Sequence, residues 1–197
     1  NHRWFILIAF VLVVIGLAII LSSGFPKSTP QAQHAEDGNI EIAPREGALA
    51  PDFELASYNG ESIRLSEVTG HPMLINFWAT WCPPCLAEMP SMQRLVEAMA
   101  GRPFQILAVN TEEAKSKVWK FKKLLNISFP TLLDSSGDAT RAWEVDVFPT
   151  SYLIDGGGRI QYVSYGALEW DDAAVVTVIE TLMPDQGAGT SAQRVPH

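Results

Sequence analysis

The pattern of hydrophobic and polar residues divides the chain into an apolar start, a polar connector, a patterned body and a polar end. Residues 4–21 carry no charge and are almost all apolar, and this length is just enough for a helix that crosses a membrane. Residues 22–47 show no apolar periodicity and contain several prolines and glutamines, so we expect a flexible linker without secondary structure. We place the folded domain at residues 48–183 and expect a disordered tail at residues 184–197.

Within the domain, the spacing of apolar residues predicts that strands alternate with helices. Two short alternating runs surround Asn59-Gly60, a pair typical of a tight β-hairpin turn. The predicted strands are residues 73–78, 104–109, 147–155 and 159–164, with a short extended piece at 129–134, and the predicted helices are residues 86–99, 112–126, 139–144 and 170–183. Strands separated by helices imply a parallel core, and the turn at residues 156–158 adds an antiparallel edge. The predicted fold class is therefore α/β with a mixed central β-sheet.

The apolar run at residues 73–78 leads into Cys82-Pro83-Pro84-Cys85, and the residues that follow favour a helix. Cys82 would then stand at a helix N-terminus, where unpaired backbone N–H groups and the helix dipole stabilise an anion such as a thiolate. Pro83 and Pro84 suit a first helical turn, because no hydrogen bond is required of their nitrogens there. Cys85, one turn later, can resolve a mixed disulfide formed by Cys82. We therefore predict a dithiol–disulfide redox site.

Other kinds of two-cysteine site need partners that the sequence does not place near the motif. A structural zinc site requires four ligands, and there is no second cysteine pair and no histidine close by. Covalent haem attachment requires a histidine after the second cysteine, where this chain has Leu86. A Cys–His hydrolase would have only His71, in a predicted loop, as its partner. Two buried cysteines without chemistry are the remaining alternative, and the Pro-Pro spacer and the flanking tryptophans favour the redox interpretation over it.

Charge and cysteine content narrow the function further. The net charge of −8 argues against nucleic acid and against a face that docks on an anionic membrane. The chain has only two cysteines, so it has no framework of structural disulfides. No metal or cofactor is expected beyond the redox-active Cys82–Cys85 disulfide itself.

The apolar start predicts a membrane location. Arg3 precedes the span, and the positive-inside rule then makes residues 1–3 a cytoplasmic stub, with the rest of the chain on the periplasmic or extracytoplasmic side. A signal peptide that is cleaved near Ser22-Ser23-Gly24 is the alternative, but the length of the apolar run favours a retained single-pass anchor.

Four stretches of the domain together resemble one known group of proteins. They are Ala50-Pro51-Asp52-Phe53, the run from Phe77 to Cys85 with Glu88 and Pro90 after it, Phe148-Pro149-Thr150, and Leu153-Ile154-Asp155 with Gly158-Arg159-Ile160. With them the chain resembles the membrane-anchored thioredoxin-fold proteins of the group that includes TlpA, ResA and the cytochrome c maturation protein CcmG. The resemblance implies a thioredoxin-like fold with an N-terminal β-hairpin extension. Ordinary thioredoxin has a buried aspartate where this chain has Asn76, which favours the membrane-tethered group.

The resemblance also implies roles for individual residues. The proline matching Pro149 is cis in the family and faces the cysteine pair, where it helps to hold the extended chain of a substrate. We assign the same substrate-binding surface to Trp81, Phe148, Pro83 and Pro84, whereas Trp78 is expected to pack in the core. The glutamate matching Glu88 handles protons near the thiols in the ResA- and CcmG-like members. A solvated glutamate in the first helical turn is the alternative for Glu88.

We expect a reductase of disulfides in exported proteins, with Cys82 attacking and Cys85 resolving. The resemblance implies a client such as apocytochrome c and re-reduction by a membrane thiol–disulfide carrier of the DsbD or CcdA kind. We expect the protein to act as a monomer. Two alternatives remain. A thiol peroxidase would share the Ala-Pro-Asp-Phe start, but it needs a threonine where the chain has Ala79. A copper-binding assembly factor would also use two thiolates, but related ones have a wider cysteine spacing and a distant histidine.

Overall fold

The structure, a computed structural model, describes residues 42–44 and 47–183. The strands are β1 (Ile42–Pro44), β2 (Glu54–Ser57), β3 (Ser62–Arg64), β4 (Met73–Trp78), β5 (Gln105–Thr111), β6 (Thr131–Asp134), β7 (Thr150–Ile154) and β8 (Ile160–Tyr165). The helices are α1 (Leu65–Val68), α2 (Pro83–Ala98), α3 (Lys115–Leu124), α4 (Asp138–Ala142) and α5 (Ala173–Thr181).

The described strands form one mixed sheet in the order β1-β8-β7-β4-β5-β6-β2-β3. Strands β4, β5 and β6 are parallel, and all other neighbours are antiparallel. The predicted thioredoxin-like α/β fold with a central mixed sheet is therefore confirmed.

Strand β4 is the middle of the core because both of its faces are covered. All six of its residues are buried. Ile75 and Phe77 pack on one side of the sheet with the aromatic group of Trp143 and Tyr152. Leu74, Trp78 and Asn76 lie on the other side, where α2 and α5 supply the apolar partners Met89, Met92, Leu95, Val175 and Ile179. Trp78 is fully buried, so its predicted packing role is confirmed.

The apolar and polar pattern predicted the pairing at one edge of the sheet and missed it at the other. At one edge, β2 and β3 form the hairpin predicted from Asn59-Gly60, and Gly60 adopts a φ of +97° that suits glycine. At the other edge, the prediction of a linker without secondary structure is wrong at residues 42–44, because β1 pairs with β8. Strand β8 is consequently not the edge strand that the turn at residues 156–158 indicated. Main-chain pairing needs no apolar periodicity, so the pattern could not reveal β1.

Two helices are much shorter than their apolar patterns predicted. Helix α3 lies inside the predicted range 112–126, because Glu112 and Asn126 adopt φ values of +53° and +52°, which do not belong to a right-handed helix. Helix α5 begins at Ala173 rather than at Trp170, because Asp172 is its N-cap and accepts a hydrogen bond from the Ala174 N–H at 2.8 Å. Trp170 therefore belongs to the loop that precedes α5.

Among the described residues, no helix is both long and apolar enough to cross a membrane. The predicted span at residues 4–21, the stub at 1–3 and the tail at 184–197 lie outside the described residues.

Candidate active site

The site lies at the C-terminal end of the central strand β4, here called the active-site end of the sheet. Strand β7 runs antiparallel to β4, and the pairing of Phe77 with Thr150 brings the start of β7 to the same end. Strand β8 ends there too, because Tyr165 pairs with Thr150. The cysteine motif after β4, Pro149 before β7 and the loop after β8 are thus assembled from parts of the chain that are distant in sequence.

Cys82 is the N-cap of α2, as its sequence context predicted. Its backbone N–H donates to the Ala79 carbonyl at 3.2 Å, which closes a tight turn after β4, and its Sγ accepts the Cys85 N–H at 3.3 Å. Pro83 and Pro84 occupy the first two helical positions, where no N–H is needed. The helix begins at the motif because Cys82 suits the N-cap and the two prolines suit the first turn.

The structure holds Cys82 and Cys85 as a disulfide, with their Cα atoms 5.3 Å apart. The two sulfurs are not equivalent in their surroundings. Cys82 is 4% exposed and lies beside the exposed Pro83 and Trp81, whereas Cys85 is fully buried on the face of α2 that packs in the core. The difference suits the predicted order, in which Cys82 meets a partner and Cys85 resolves from within.

An exposed aromatic and apolar surface lies next to the disulfide. Trp81 is 61% exposed, and its ring packs edge-on against Phe148 with the centroids 5.5 Å apart. Pro149 is buried behind them, its peptide bond with Phe148 is cis, and its carbonyl accepts the Gly166 N–H at 2.8 Å. Pro83 and Pro84 are exposed on the helix side. The structure therefore brings the predicted substrate-binding residues to the active-site end of the sheet.

Two residues at the active-site end of the sheet were not predicted to belong to the site. Val147 and Tyr165 are both exposed large apolar side chains, Val147 next to Phe148 in the chain and Tyr165 at the end of β8. Val147 could have been found from its position before Phe148-Pro149. The position of Tyr165 depends on the pairing of β8 with β7, which sequence pattern alone does not align.

Glu88 is buried, so the alternative of a solvated first-turn glutamate is wrong. Its Oε1 accepts the Asn76 Nδ2 at 2.8 Å, and its Oε2 accepts the Trp170 Nε1 at 2.9 Å and the Leu168 N–H at 3.3 Å. Burial raises the pKa of Glu88 from 4.5 to about 7, while the hydrogen bonds from Trp170, Asn76 and Leu168 oppose the rise. A carboxyl group with this pKa can accept and return a proton near neutral pH.

Asn76 connects Glu88 to the strand that follows Pro149. Its Nδ2 also donates to the Ser151 Oγ at 2.8 Å, and Ser151 lies on β7 two residues after Pro149. An amide does not ionise near neutral pH, so Asn76 orients Glu88 and is not itself a base.

Glu113 supports the turn that carries Cys82, and sequence analysis missed it. Its carboxylate accepts hydrogen bonds from the Thr80 N–H and Oγ, both at 2.6 Å, and from Asn110 and Lys117. Burial alone would raise the pKa of Glu113, but the hydrogen bonds from Lys117, Thr80 and Asn110 outweigh it and the pKa lies below its ordinary value. The parallel pairing of β4 with β5 brings Glu113 to this turn, and no local signal marks that contact.

Within the described part of the chain, no three His, Cys, Asp or Glu side chains are grouped in a way that could hold a metal ion. Of the groups described here, the two cysteines can exchange electrons and Glu88 has a pKa that lets it exchange a proton near neutral pH.

Comparison with known proteins places these features in a family. The AhpC/TSA family profile matches residues 47–163, a range that includes both cysteines, Glu88 and Pro149. The thiol-disulfide oxidoreductase ResA of Geobacillus kaustophilus is 37% identical over 126 residues, which cover 64% of this chain and 72% of that protein. For ResA of Bacillus subtilis the identity is 37% over 123 residues, which cover 62% of this chain and 69% of that protein. A Chlorobium tepidum structure, described as a candidate thiol:disulfide interchange protein DsbE, is 31% identical with a TM-score of 0.65 and covers 71% of this chain and 99% of its own.

Proposed function

The chain belongs to the AhpC/TSA family of thioredoxin-like proteins, and we propose that it is a membrane-tethered reductase of disulfides in exported proteins. Its general activity is that of a thiol–disulfide oxidoreductase. One observation carries the proposal: the Cys82–Cys85 disulfide at the N-terminus of α2 lies beside an exposed aromatic surface and one helical turn before the buried Glu88.

The reaction starts from the reduced form of the pair. The Cys82 thiolate, stabilised at the helix N-terminus, attacks one sulfur of a client disulfide, and the other client sulfur leaves as a thiolate. A mixed disulfide now joins Cys82 to the client. Trp81 and Phe148 hold the extended client chain beside the bond, with Pro149 buried behind them.

Cys85 completes the exchange from inside the domain. Its thiol gives its proton to the Glu88 carboxylate, and the Cys85 sulfur attacks the Sγ of Cys82 and releases the second client sulfur as a thiolate. The two client thiolates take up two protons: one is returned by Glu88, and the other comes from solvent, which had taken the proton that Cys82 lost on forming its thiolate. In total, two electrons pass to the client and the protein is left with the disulfide that the structure contains.

The compartment, the client and the electron donor complete the proposal. Residues 4–21 anchor the domain on the extracytoplasmic side of a membrane. An apocytochrome c is a suitable client, because haem attachment requires free cysteine thiols. Each turnover oxidises Cys82 and Cys85, so a membrane thiol–disulfide carrier of the DsbD or CcdA kind must return two electrons.

The direction of electron flow is tested by the equilibrium reduction potential of the pair in the chain of residues 1–197, measured against glutathione and dithiothreitol buffers. We expect a value near that of thioredoxin, about −270 mV. A value near about −120 mV would instead identify an oxidant that donates disulfides, and the reductase assignment would fall.

The order of attack is tested by Cys85→Ser, which leaves Cys82 able to form a mixed disulfide but unable to resolve it. Incubation with an oxidised peptide that carries a haem-attachment Cys-x-x-Cys should give a covalent adduct on a non-reducing gel. The double variant Cys82→Ser/Cys85→Ser is the control and should give none. If Cys82 reacts with a small disulfide in Cys85→Ser but no peptide adduct forms, the result counts against the order of attack in which Cys82 forms the bond to the client.

A further inference from the structure

A short loop segment lies along the helix that carries the cysteines. Residues 168–171, here called the strap, follow β8 and contact three residues of α2 that are spaced three apart: Glu88, Ser91 and Arg94. The Ser91 Oγ accepts the Trp170 N–H at 3.0 Å and lies 3.2 Å from the Leu168 carbonyl, while its own proton has a nearer acceptor in the Glu88 carbonyl at 2.7 Å. Arg94 pairs with Asp171 at 2.6 Å and with Glu169 at 3.0 Å.

At Glu88 the strap supplies only hydrogen-bond donors. The Trp170 indole N–H and the Leu168 N–H both point to Oε2, and the Asn76 amide donates to Oε1 from β4. A carboxylate accepts all three bonds, whereas a carboxylic acid needs an acceptor for its proton. The two N–H groups of the strap at Oε2 offer none, and only the Asn76 amide, turned over, could accept a proton from Oε1. The arrangement favours the ionised form of Glu88, although burial favours the neutral form.

Of the two strap residues that donate to Glu88, Leu168 uses its backbone N–H and Trp170 uses its side chain. Trp170 is 1% exposed, so its ring also packs in the core, but its Nε1 reaches Glu88 at 2.9 Å. Cys85 and Glu88 are one helical turn apart on the same helix, and both are buried. A change in the proton affinity of Glu88 therefore acts next to the thiol that Cys85 becomes when the disulfide is reduced.

We propose that Trp170 is a positioning residue of the redox site: its indole N–H holds Glu88 as the carboxylate that accepts the proton of Cys85 during resolution of a mixed disulfide. The inference rests on the proposed function in one respect, namely that Cys85 resolves a bond formed by Cys82. In that step the Cys85 proton moves to Glu88, a bond forms between the two cysteine sulfurs, and the bond from Cys82 to the partner sulfur breaks.

The other charged groups of the elements around Glu88 are directed elsewhere. Arg94 of α2 is exposed and pairs with Glu169 and Asp171 of the strap at the surface. The contacts of Glu88 from β4 and from the strap are the neutral Asn76, Leu168 and Trp170. In the reduced protein, Cys85 is the titratable group of α2 that lies one turn from Glu88.

Trp170→Phe removes the indole N–H and keeps an aromatic ring in the core. Trp143→Phe is the matched control, because Trp143 is also a buried tryptophan, its Nε1 has no hydrogen-bond partner, and it packs on the opposite face of the sheet. Both variants lose one indole, so a general loss of packing would affect both.

Two measurements on the chain of residues 1–197 separate attack by Cys82 from resolution by Cys85. The titration of the Glu88 carboxyl group in the oxidised protein is followed by ¹³C NMR. The reduced protein is then mixed with 2,2′-dithiodipyridine over a range of pH. The first equivalent of thiopyridone reports attack by Cys82, and the second reports resolution by Cys85.

In Trp170→Phe we expect the Glu88 titration midpoint to rise by about one pH unit, because the carboxylate loses one donor. The midpoint of the second thiopyridone release should rise with it, which makes that step up to about tenfold slower below the midpoint, and the first release should not change. Trp143→Phe should leave both midpoints in place.

The proposal is overturned if the Glu88 titration of Trp170→Phe matches that of the wild type, or if Trp143→Phe shifts it equally. It is also overturned if the titration moves and the second release does not follow. Failure of the proposed function gives a different result: if Cys85 does not resolve a bond formed by Cys82, the wild type releases one equivalent of thiopyridone or none, while the Glu88 titration can still be measured.

Discussion

Substituting Glu88 by glutamine tests whether the fold raises the proton affinity of this buried carboxyl group. The pKa of Glu88 rises from 4.5 to about 7 in the folded chain, so the folded protein binds this proton more tightly than the unfolded protein does. The stabilisation is fully present below pH 4.5 and is lost as the pH rises through about 7. Because one pKa unit corresponds to about 1.4 kcal/mol, the loss is about 3 kcal/mol in the free energy of unfolding.

The assay is urea unfolding of the oxidised wild type and of the oxidised Glu88→Gln variant between about pH 4 and about pH 8. Every other titrating group cancels in the difference between the two proteins. The difference should change by about 3 kcal/mol across this range, with the wild type losing stability relative to the variant as the pH rises. Glutamine also changes the hydrogen bonds with Asn76 and Trp170, which adds an offset that does not depend on pH. Curves that stay parallel to within about 1 kcal/mol would refute the reasoning.

Three further outcomes are expected. Trp81→Ala should lower kcat/KM about tenfold for a protein disulfide and much less for a small disulfide, because it removes an exposed aromatic anchor beside Cys82. Tyr152→Phe should reduce the free energy of unfolding by about 1 kcal/mol in urea, because the Tyr152 hydroxyl donates to the Trp143 carbonyl at 2.7 Å. Peroxide should be consumed no faster by the reduced wild type than by free dithiothreitol, since Ala79 stands where a peroxidase has threonine; faster consumption would favour the peroxidase alternative.

The position of the cysteine motif could be predicted because neighbouring residues determine it. The apolar run before it is buried on both faces as strand β4, and the two prolines suit only the start of the helix that follows. The hairpin between β2 and β3 was equally clear, since Asn59-Gly60 prefers the turn that joins them. In each case the interaction that decides the structure lies within a few residues of the signal.

The parts that escaped prediction depend on contacts between distant segments. Strand β1 is held by main-chain hydrogen bonds to β8, and main-chain pairing does not require particular side chains. Glu113 reaches Thr80 only because β4 and β5 are parallel neighbours. Both features lie far in sequence from the residues they contact, so a pattern read along the chain contains no trace of them.

Glu88 shows how such a contact changes the chemistry of a local motif. From its position after Cys85 it could equally have been a solvated residue of the first helical turn. It is buried under residues 168–171, and Trp170 is available to bind it because the Asp172 cap begins α5 two residues after the tryptophan. The same cysteine motif with a different loop at this point would keep its disulfide geometry and lose the donor that opposes the neutral form of Glu88. The proton affinity beside the thiols is therefore a property of the loop after β8 as much as of the motif.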